Sequence, residues 1–297
     1  MLTFQPGIQP DHCIQAFVEA GAIRLAQPPA EGQIQPASLD LRLGEKAYRV
    51  RASFLPGPDR TVRRRLDELA LHEIDLTRGA VLETGCVYIA ELMEGLKLPA
   101  GLRAAANPKS STGRLDVFTR VITDRAREFD LVEDGYEGPL FIEISPRTFP
   151  VLVRSGSRLS QIRFRAGESR LDDRALGELH QRETLVTAAE PSFQGGVAVS
   201  VDLSGFGGLI GYRGKHYTAL IDVDRVGAYR ASEFWEPIPS DGSRALILDP
   251  GQFYILASKE AVHVPPDYAA EMTPFDALVG EFRVHYAGFF DPGFGHS

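Results

Sequence analysis

The sequence predicts a mainly β protein built from two domains. Between residues 81 and 164, short runs of Val, Ile, Leu and Phe are separated by Gly, Pro and Ser, which is typical of a sandwich or barrel. The chain has 29 Gly and 20 Pro in 297 residues, and this content favours turns and short strands over long helices. Its length corresponds to about two domains.

The remaining elements can be assigned in chain order. Residues 11–25 carry a helical apolar stripe that Asp11 could cap, and the alternation in residues 38–43 predicts a strand with one polar face. The charged segment 59–70 is interpreted as a solvated helix or loop. Leucines at helical spacing predict a helix in residues 168–186, and β character returns after residue 197.

Two segments of the chain, 83–102 and 249–268, share a pattern at a constant offset of 166 residues. The coincident residues are Gly85/Gly251, Tyr88/Tyr254, Ile89/Ile255, Glu94/Glu260 and Pro99/Pro265. We interpret this as a tandem duplication that gives domains at residues 1–190 and 191–297. Two unrelated β domains that share turn chemistry are the alternative interpretation.

Composition narrows the range of partners and of cellular locations. A net charge of −8 and a pI of about 5.5 argue against general nucleic-acid binding, because an acidic chain repels a phosphate backbone. No stretch reaches 18 apolar residues, and the N-terminus lacks the pattern of a signal peptide. Two widely spaced cysteines, Cys13 and Cys86, suggest reduced thiols in a cytoplasmic protein without membrane association.

The segment 107–117 combines two cations and three hydroxyls beside a proline and a glycine. Lys109 and Arg114 can form charge-assisted bonds to phosphate oxygens, and Ser110 and Ser111 can add hydroxyl groups to the same site. At the same place in the second half, residues 273–284 carry no Ser-Ser pair, so the first half is expected to hold the reacting groups. A simple turn is the alternative interpretation.

Glu143 lies among Phe141, Ile142 and Ile144 on a predicted strand. A carboxylate in such apolar surroundings is partly desolvated, which suits a general base near neutral pH. A strand glutamate that faces solvent is the alternative. Farther along the chain, Gln161 follows a tight Gly-Ser-Arg turn and can bond a phosphate or a sugar.

In this order and spacing, QPASLDLRL, NPKSSTGRLDV, EDGYEGPLFIEIS and SGSRLSQIRF resemble the motifs of the dCTP deaminase/trimeric dUTPase superfamily. The resemblance covers residues 10–165, with a degenerate echo in 197–297. It implies tandem dUTPase-like β-barrels of jelly-roll character with a few short helices. It also implies a trimer-like homo-oligomer with active sites between subunits, which bind a deoxynucleoside triphosphate with Mg²⁺.

The resemblance also implies a role for each motif residue. Glu143 would activate the water that attacks C4 of cytosine, while Ser110 and Arg114 would orient the water and the pyrimidine. The hairpin from Val121 to Tyr136 would contact the base and deoxyribose. The other residues expected to bind substrate are Lys109, Ser111, Asp134, Tyr136 and Gln161.

This chain departs from the superfamily pattern at three places. The usual Asp-Pro-Gly is Glu133-Asp134-Gly135, and the segment between Val121 and Glu133 is longer than usual. Lys109 stands where an arginine is usual, so it keeps the charge but loses the bidentate fork. Residues 211–217 resemble the C-terminal segment that closes over the triphosphate, but a first hairpin of the second domain is the favoured interpretation.

Several activities stay open at this point. The resemblance favours a zinc-independent dCTP deaminase that makes dUTP and ammonia. In agreement with it, the sequence has neither His-x-Glu nor Pro-Cys-x-x-Cys, the signature of zinc deaminases. A dUTP diphosphatase would place its base at Glu133, and a bifunctional enzyme that forms dUMP would use both carboxylates. A non-catalytic deoxynucleotide-binding regulator is the alternative from another class.

Overall fold

The computed structural model describes residues 4–273 and 288–295. The strands are Gly7–Ile8 (β1), Ile23–Leu25 (β2), Ile34–Gln35 (β3), Ser38–Val50 (β4), Ala70–Asp75 (β5), Ala80–Leu82 (β6), Val87–Lys97 (β7), Leu102–Pro108 (β8), Val117–Thr123 (β9), Leu131–Val132 (β10), Glu137–Pro146 (β11), Val151–Val153 (β12), Arg158–Ala166 (β13), Leu209–Gly214 (β14), Ile221–Asp222 (β15), Trp235–Pro239 (β16), Tyr254–Leu256 (β17), Ala270–Glu271 (β18) and Phe289–Phe290 (β19). The helices are Asp11–Glu19 (α1), Val62–Leu69 (α2), Ser110–Gly113 (α3), Asp173–Arg182 (α4) and Ala231–Phe234 (α5). The predicted β class is therefore confirmed.

The chain divides into two compact units. The first comprises Met1–Ser169, Leu220–Val226 and Glu271–Phe289, and the second comprises Arg170–Ala219, Gly227–Ala270 and Phe290–Ser297. The first break follows residue 169, about 20 residues before the predicted boundary at 190/191, because α4 belongs to the second unit. Most of segment 273–284, which was compared with the first half, lies outside the described residues.

The main sheet of the first unit is a nearly closed barrel with the strand order β10-β8-β13-β4-β7-β11-β9. Strand β4 is long enough to pair with β13 and with β7, and so it joins the two sides of the barrel. On the far side, β11 pairs with β7 and with β9 in antiparallel register. This register decides which side chains of β9 and β11 face each other.

The start of β4 is buried on both faces, although its alternation predicted one exposed polar face. All six residues from Ser38 to Leu43 are buried. Arg42 therefore needs an internal partner, and its Nε donates to Glu94 Oε1 at 2.8 Å while its backbone N–H donates to Oε2 at 2.7 Å. Gln33 also donates to Oε1 at 2.8 Å, so both oxygens of Glu94 are satisfied. Burial raises the pKa of Glu94, and the bonds from Arg42 oppose that rise.

One face of the barrel is covered by α2 and the loop before it. Val62 and Leu66 of α2 pack with Phe54, Ile89 and Phe141 into a cluster of buried apolar side chains, called here the α2 cluster. The predicted charged segment at 59–70 thus contains a helix that buries Val62 and Leu66 on one side and exposes Arg63 and Arg64 on the other. Thr61 caps it, accepting a hydrogen bond from the N–H of Arg64. The N-terminal helix differs from the prediction, because Asp11 is its first residue and bonds only the next N–H.

In the second unit, β14 is the central strand of the sheet β16-β14-β17. Residues 211–214 of the segment 211–217 lie in this strand, which pairs with β16 and β17, and the hairpin interpretation of the whole segment stays a prediction. His216 and Lys215 follow it and bond within the unit, His216 Nε2 to Gln252 Oε1 at 2.9 Å and Lys215 Nζ to the Ser232 carbonyl at 2.7 Å.

The repeated segments fold in the same way locally. Gly85 and Gly251 have φ angles of 72° and 73°, a left-handed conformation that glycine adopts without a steric penalty. Three residues later, the hydroxyls of Tyr88 and Tyr254 each accept a hydrogen bond from the N–H five residues upstream, both at 3.0 Å. This shared turn geometry supports the interpretation of a tandem duplication.

None of the described helices has the length and apolar character that a helix needs to cross a membrane.

The pairing of Arg42 with Glu94 generates a stability prediction. We expect Arg42→Met to lower the free energy of unfolding by roughly 3–5 kcal/mol, because it leaves a buried carboxylate without its cation. Arg24→Met is the matched control, since Arg24 pairs with Glu137 where both side chains are about half exposed, and should cost less than about 1 kcal/mol. Urea denaturation measures both, and equal losses would contradict the prediction.

Candidate functional site

Glu143 lies on β11 with its side chain only 2% exposed. The antiparallel register places it opposite Arg120 of β9 and Ile89 of β7. Arg120 donates to Glu143 Oε1 from Nη2 at 2.7 Å and from Nε at 3.2 Å. The other oxygen, Oε2, is buried and has no hydrogen-bond partner among the described residues. The predicted strand carboxylate in apolar surroundings is therefore present, and it keeps one oxygen free to accept a proton or a hydrogen bond.

Arg120 is held on several sides. Its Nη2 also donates to Ser53 Oγ at 2.8 Å, and its guanidinium carbon lies 3.6 Å from the ring centre of Phe129 and 4.8 Å from that of Phe118. Ser53 comes from the loop before α2, and Phe129 comes from the long segment between Val121 and Glu133. The departure noted in the sequence thus places an aromatic ring beside the partner of Glu143.

A second carboxylate, Asp130, lies close to this pair. Its Oδ1 accepts the backbone N–H of Val121 at 2.7 Å, and its own backbone has a left-handed φ of 61°. Burial raises the pKa of Asp130 to about 7, and the neighbouring charge of Glu143 acts in the same direction while Arg120 opposes it. The charge of Arg120 therefore acts on two carboxylates, those of Asp130 and Glu143.

The Ser110–Arg114 segment forms a separate surface. Helix α3 begins at Ser110, and the side chains of Ser110, Ser111 and Arg114 are exposed. Thr112 and Gly113 are buried and anchor the turn. Hydroxyls and a guanidinium are thus available to a ligand from solvent.

Lys109 joins a polar group that spans three neighbouring strands. Its ammonium bonds Asp40 Oδ2, and the Nη1 of Arg158 lies 3.5 Å from the same oxygen. Asp40 is directly opposite Gln161 in the β4–β13 register, and Gln161 Oε1 accepts from Ser38 Oγ at 3.2 Å. Burial raises the pKa of Asp40, although the hydrogen bond from Lys109 opposes the shift. Two predicted ligand-binding residues, Lys109 and Gln161, are therefore on one face.

Asp134 and Tyr136 both bond groups of the first unit: Asp134 bonds the turn between β7 and β8, and Tyr136 bonds its own hairpin and β11. The carboxylate of Asp134 accepts the N–H of Gly101 at 2.8 and 3.0 Å. The hydroxyl of Tyr136 donates to the Pro139 carbonyl at 2.7 Å and accepts from the N–H of Asp124 at 3.1 Å. Burial raises the pKa of Tyr136 to about 12, so its hydroxyl stays protonated. These contacts shape the hairpin, and substrate contacts by the two residues stay predictions.

Within residues 4–273 and 288–295, no hydrogen bond or ion pair joins Glu143 to Ser110 or Arg114. The reason is the register: Val117, at the end of β9 that follows α3, pairs with Pro146, three residues beyond Glu143. At the usual rise per strand residue, this separation is about 10 Å along the sheet. One chain therefore presents the carboxylate and the hydroxyl–cation turn as two separate parts.

The residues around Glu143 are the ones that sequence reasoning missed. Arg120 stands in the run VFTRVIT, where a single cation on a strand gives no sign of its partner. The pairing of β9 with β11 is what shows that Arg120 lies opposite Glu143. Ser53 comes from a loop 67 residues before Arg120. The long segment after Val121 was a visible signal, but its length does not predict where Phe129 points.

In the part of the chain that the structure describes, no group of three or more His, Cys, Asp or Glu side chains is arranged to hold a metal ion. Cys13 and Cys86 are both free thiols.

Comparison with protein families matches almost the whole chain. Residues 5–168 match the N-terminal domain of 2'-deoxycytidine 5'-triphosphate deaminase, and residues 172–297 match the C-terminal domain of the same family. Among solved structures, a 2'-deoxycytidine 5'-triphosphate deaminase from Agrobacterium tumefaciens is 61% identical, with a TM-score of 0.95 over 99% of this chain and 89% of that one.

More distant relatives match the first half. A dCTP deaminase of Haemophilus influenzae is 28% identical over 163 residues, which are 52% of this chain and 80% of the relative. A protein of Parafrankia named "dCTP deaminase, dUMP-forming" is 33% identical over 158 residues, 51% of this chain and 72% of the relative.

The raised pKa of Asp130 generates a prediction about pH. The folded state binds this proton more tightly than the unfolded state, with a pKa of about 7 against an ordinary value of 3.8. The associated stability is complete below the ordinary value and is lost as the pH rises through 7. Asp130→Asn keeps the acceptor and the shape, so we expect the variant to gain stability over the wild type between pH 4 and pH 8. Asp59→Asn, at an exposed position, is the control, and parallel curves for all three proteins would contradict this expectation.

Proposed function

We propose that this chain, which belongs to the 2'-deoxycytidine 5'-triphosphate deaminase family, is an enzyme that hydrolyses dCTP to dUTP and ammonia. The observation that carries the proposal is the buried Glu143 carboxylate, which has one oxygen bonded to Arg120 and the other without a partner. A buried acceptor without a partner is costly unless a ligand or water completes it.

The proposed reaction uses Glu143 as a proton shuttle. Oε2 accepts a proton from water as the water oxygen bonds to C4 of the cytosine ring, the electrons of the C4–N3 double bond move to N3, and N3 takes that proton. Oε2 then carries the remaining hydroxyl proton to the amino nitrogen. The C4–N4 bond breaks, ammonia leaves, and C4 keeps the oxygen as a carbonyl while N3 keeps its proton. We propose this glutamate chemistry because the signature residues of zinc deaminases do not occur in the sequence.

The triphosphate is proposed to bind at the Ser110–Arg114 turn and the strands beside it. Lys109 and Arg114 supply charge, and Ser111 and Gln161 supply hydrogen bonds to phosphate oxygens. This donor set suits anionic oxygens and not a cation, so Mg²⁺ is expected to enter with the nucleotide, where it neutralises triphosphate charge. The free thiols agree with a proposed cytoplasmic location.

A homo-oligomer with shared sites would unite the two parts that one chain keeps apart. We propose that Glu143 of one copy meets the Ser110–Arg114 turn of a second copy, as in the trimer-like assembly that the resemblance implies. The absence of any bond between these parts within the described chain supports this arrangement.

Substitution of Glu143 tests the chemistry. We expect Glu143→Gln to bind dCTP but to release ammonia at least about 10²-fold more slowly, the usual scale for loss of a general base. Glu137→Gln is a matched control, because Glu137 lies on the same strand with its side chain 52% exposed, and it should keep the wild-type rate.

Product analysis separates the candidate activities. Ammonia with dUTP supports the proposal, and ammonia with dUMP and pyrophosphate would show the dUMP-forming reaction after which the Parafrankia relative is named. Cleavage of dUTP alone, with dCTP untouched, would indicate a diphosphatase. Tight binding of dCTP or dTTP without turnover in the wild type would indicate a regulator.

Mixed oligomers test the shared site. We expect Glu143→Gln and Arg114→Met to be inactive alone but active when co-expressed, at roughly a quarter of the wild-type rate if subunits mix at random. The gain appears because some interfaces then combine an intact carboxylate with an intact turn. Mixtures that stay as inactive as either variant would refute the shared arrangement.

A further inference from the structure

The bond between Arg120 and Glu143 has an unusual form for a buried ion pair. A guanidinium and a carboxylate commonly form two parallel bonds that satisfy both oxygens. Here Nε and Nη2 both point at Oε1, and Oε2 is left with no partner among the described side chains and backbone. The buried pair of Arg42 and Glu94 provides a contrast in the same unit, because there both carboxylate oxygens are bonded.

The one-sided contact is maintained from outside the strand pair. Nη2 is shared with Ser53 Oγ, and the flat face of the guanidinium lies against the ring of Phe129. In this orientation Nε and Nη2 both reach Oε1, and neither bonds Oε2. The side chain of Arg120 remains 26% exposed, whereas that of Glu143 is 2% exposed.

The two segments that hold Arg120 also bind each other. The N–H of Gly57 donates to the Ala126 carbonyl at 3.1 Å, and the N–H of Arg125 donates to the Arg60 carbonyl at 3.0 Å. The N–H of Val62, at the start of α2, donates to Asp124 Oδ1 at 2.7 Å. The loop before α2 and the long hairpin segment thus form one hydrogen-bonded support for Arg120.

We propose that Arg120 is a positioning residue for the deamination reaction: it holds Glu143 by Oε1 and leaves Oε2 directed to the reacting water. This inference rests on the proposed function and adds a residue to it. Arg120 acts through Glu143 and does not bind the nucleotide. Ser53 and Phe129 act one step farther away, by fixing the orientation of Arg120.

The role predicts which kinetic parameter changes. Loss of Arg120 leaves substrate binding intact, so we expect Arg120→Ala to lower kcat for ammonia release at least about tenfold with KM changed less than about threefold. Arg120→Lys keeps a cation that can reach Oε1 and should recover part of kcat. Phe129→Leu should lower kcat less than Arg120→Ala, because the Ser53 contact remains.

Chemical rescue separates positioning from general structural support. Guanidinium ion at millimolar, non-denaturing concentration should raise kcat of Arg120→Ala at least about threefold by occupying the vacated space beside Oε1. The matched control is Arg24→Ala, which removes an exposed partner of Glu137 from the same strand β11 and should neither lose activity nor respond to guanidinium. Circular dichroism and thermal unfolding establish that each variant is folded, and Arg120→Lys takes the place of Arg120→Ala if the latter does not fold.

Each outcome is decisive. An active wild type with Arg120 variants that behave like Arg24→Ala would overturn the inference and leave the proposed function standing. Variants that lose kcat and thermal stability together, without rescue by guanidinium or by lysine, would show Arg120 to be structural and would overturn it as well. A folded wild type that releases no ammonia from dCTP would instead refute the proposed function, and the inference with it.

Discussion

Three buried carboxylates in the interior of the first unit are each paired with a cation from another strand or turn, and the packing of the barrel depends on these pairs. Asp40, Glu94 and Glu143 have side chains that are at most 2% exposed, and they bond Lys109, Arg42 and Arg120 respectively. An unpaired buried charge costs several kcal/mol, on the order of half the stability of a domain. The register of β11 against β9 is therefore constrained by charge as well as by apolar packing, because a shift of one residue would move Glu143 away from Arg120 and to the other face.

The three pairs differ in how completely the carboxylate oxygens are bonded. Both oxygens of Glu94 are bonded, and its network ties β4 to β7 in the manner of a structural contact. Asp40 and Glu143 each keep one buried oxygen without a hydrogen bond among the described residues. Such atoms are expected where a ligand or a water supplies the missing hydrogen bond. Both residues lie on strands that carry motifs identified in the sequence.

Features that depend on a few neighbouring residues could be predicted from the sequence, whereas contacts between strands distant in sequence could not. The Gly-x-x-Tyr turn at residues 85–88 and its counterpart at 251–254 could be found because a short turn specifies its own geometry. The strand around Glu143 was visible in its apolar neighbours. The partner of Glu143 was not, since the register of a hairpin with a long irregular tip cannot be deduced from alternation alone. The prediction of one exposed polar face on β4 was wrong for a related reason, because burial on both sides depends on strands far away in sequence.

The long hairpin segment after Val121 supplies part of the surroundings of Arg120. It carries the chain over the face that holds Arg120, where the ring centre of Phe129 lies 3.6 Å from the guanidinium carbon. Phe129 adds a second ring to the one that Phe118 of β9 already places beside the guanidinium, and Asp130 closes the segment by accepting the N–H of Val121. Arg120 is therefore held between a ring from the sheet and a ring from the hairpin segment, while its nitrogens bond Glu143 and Ser53.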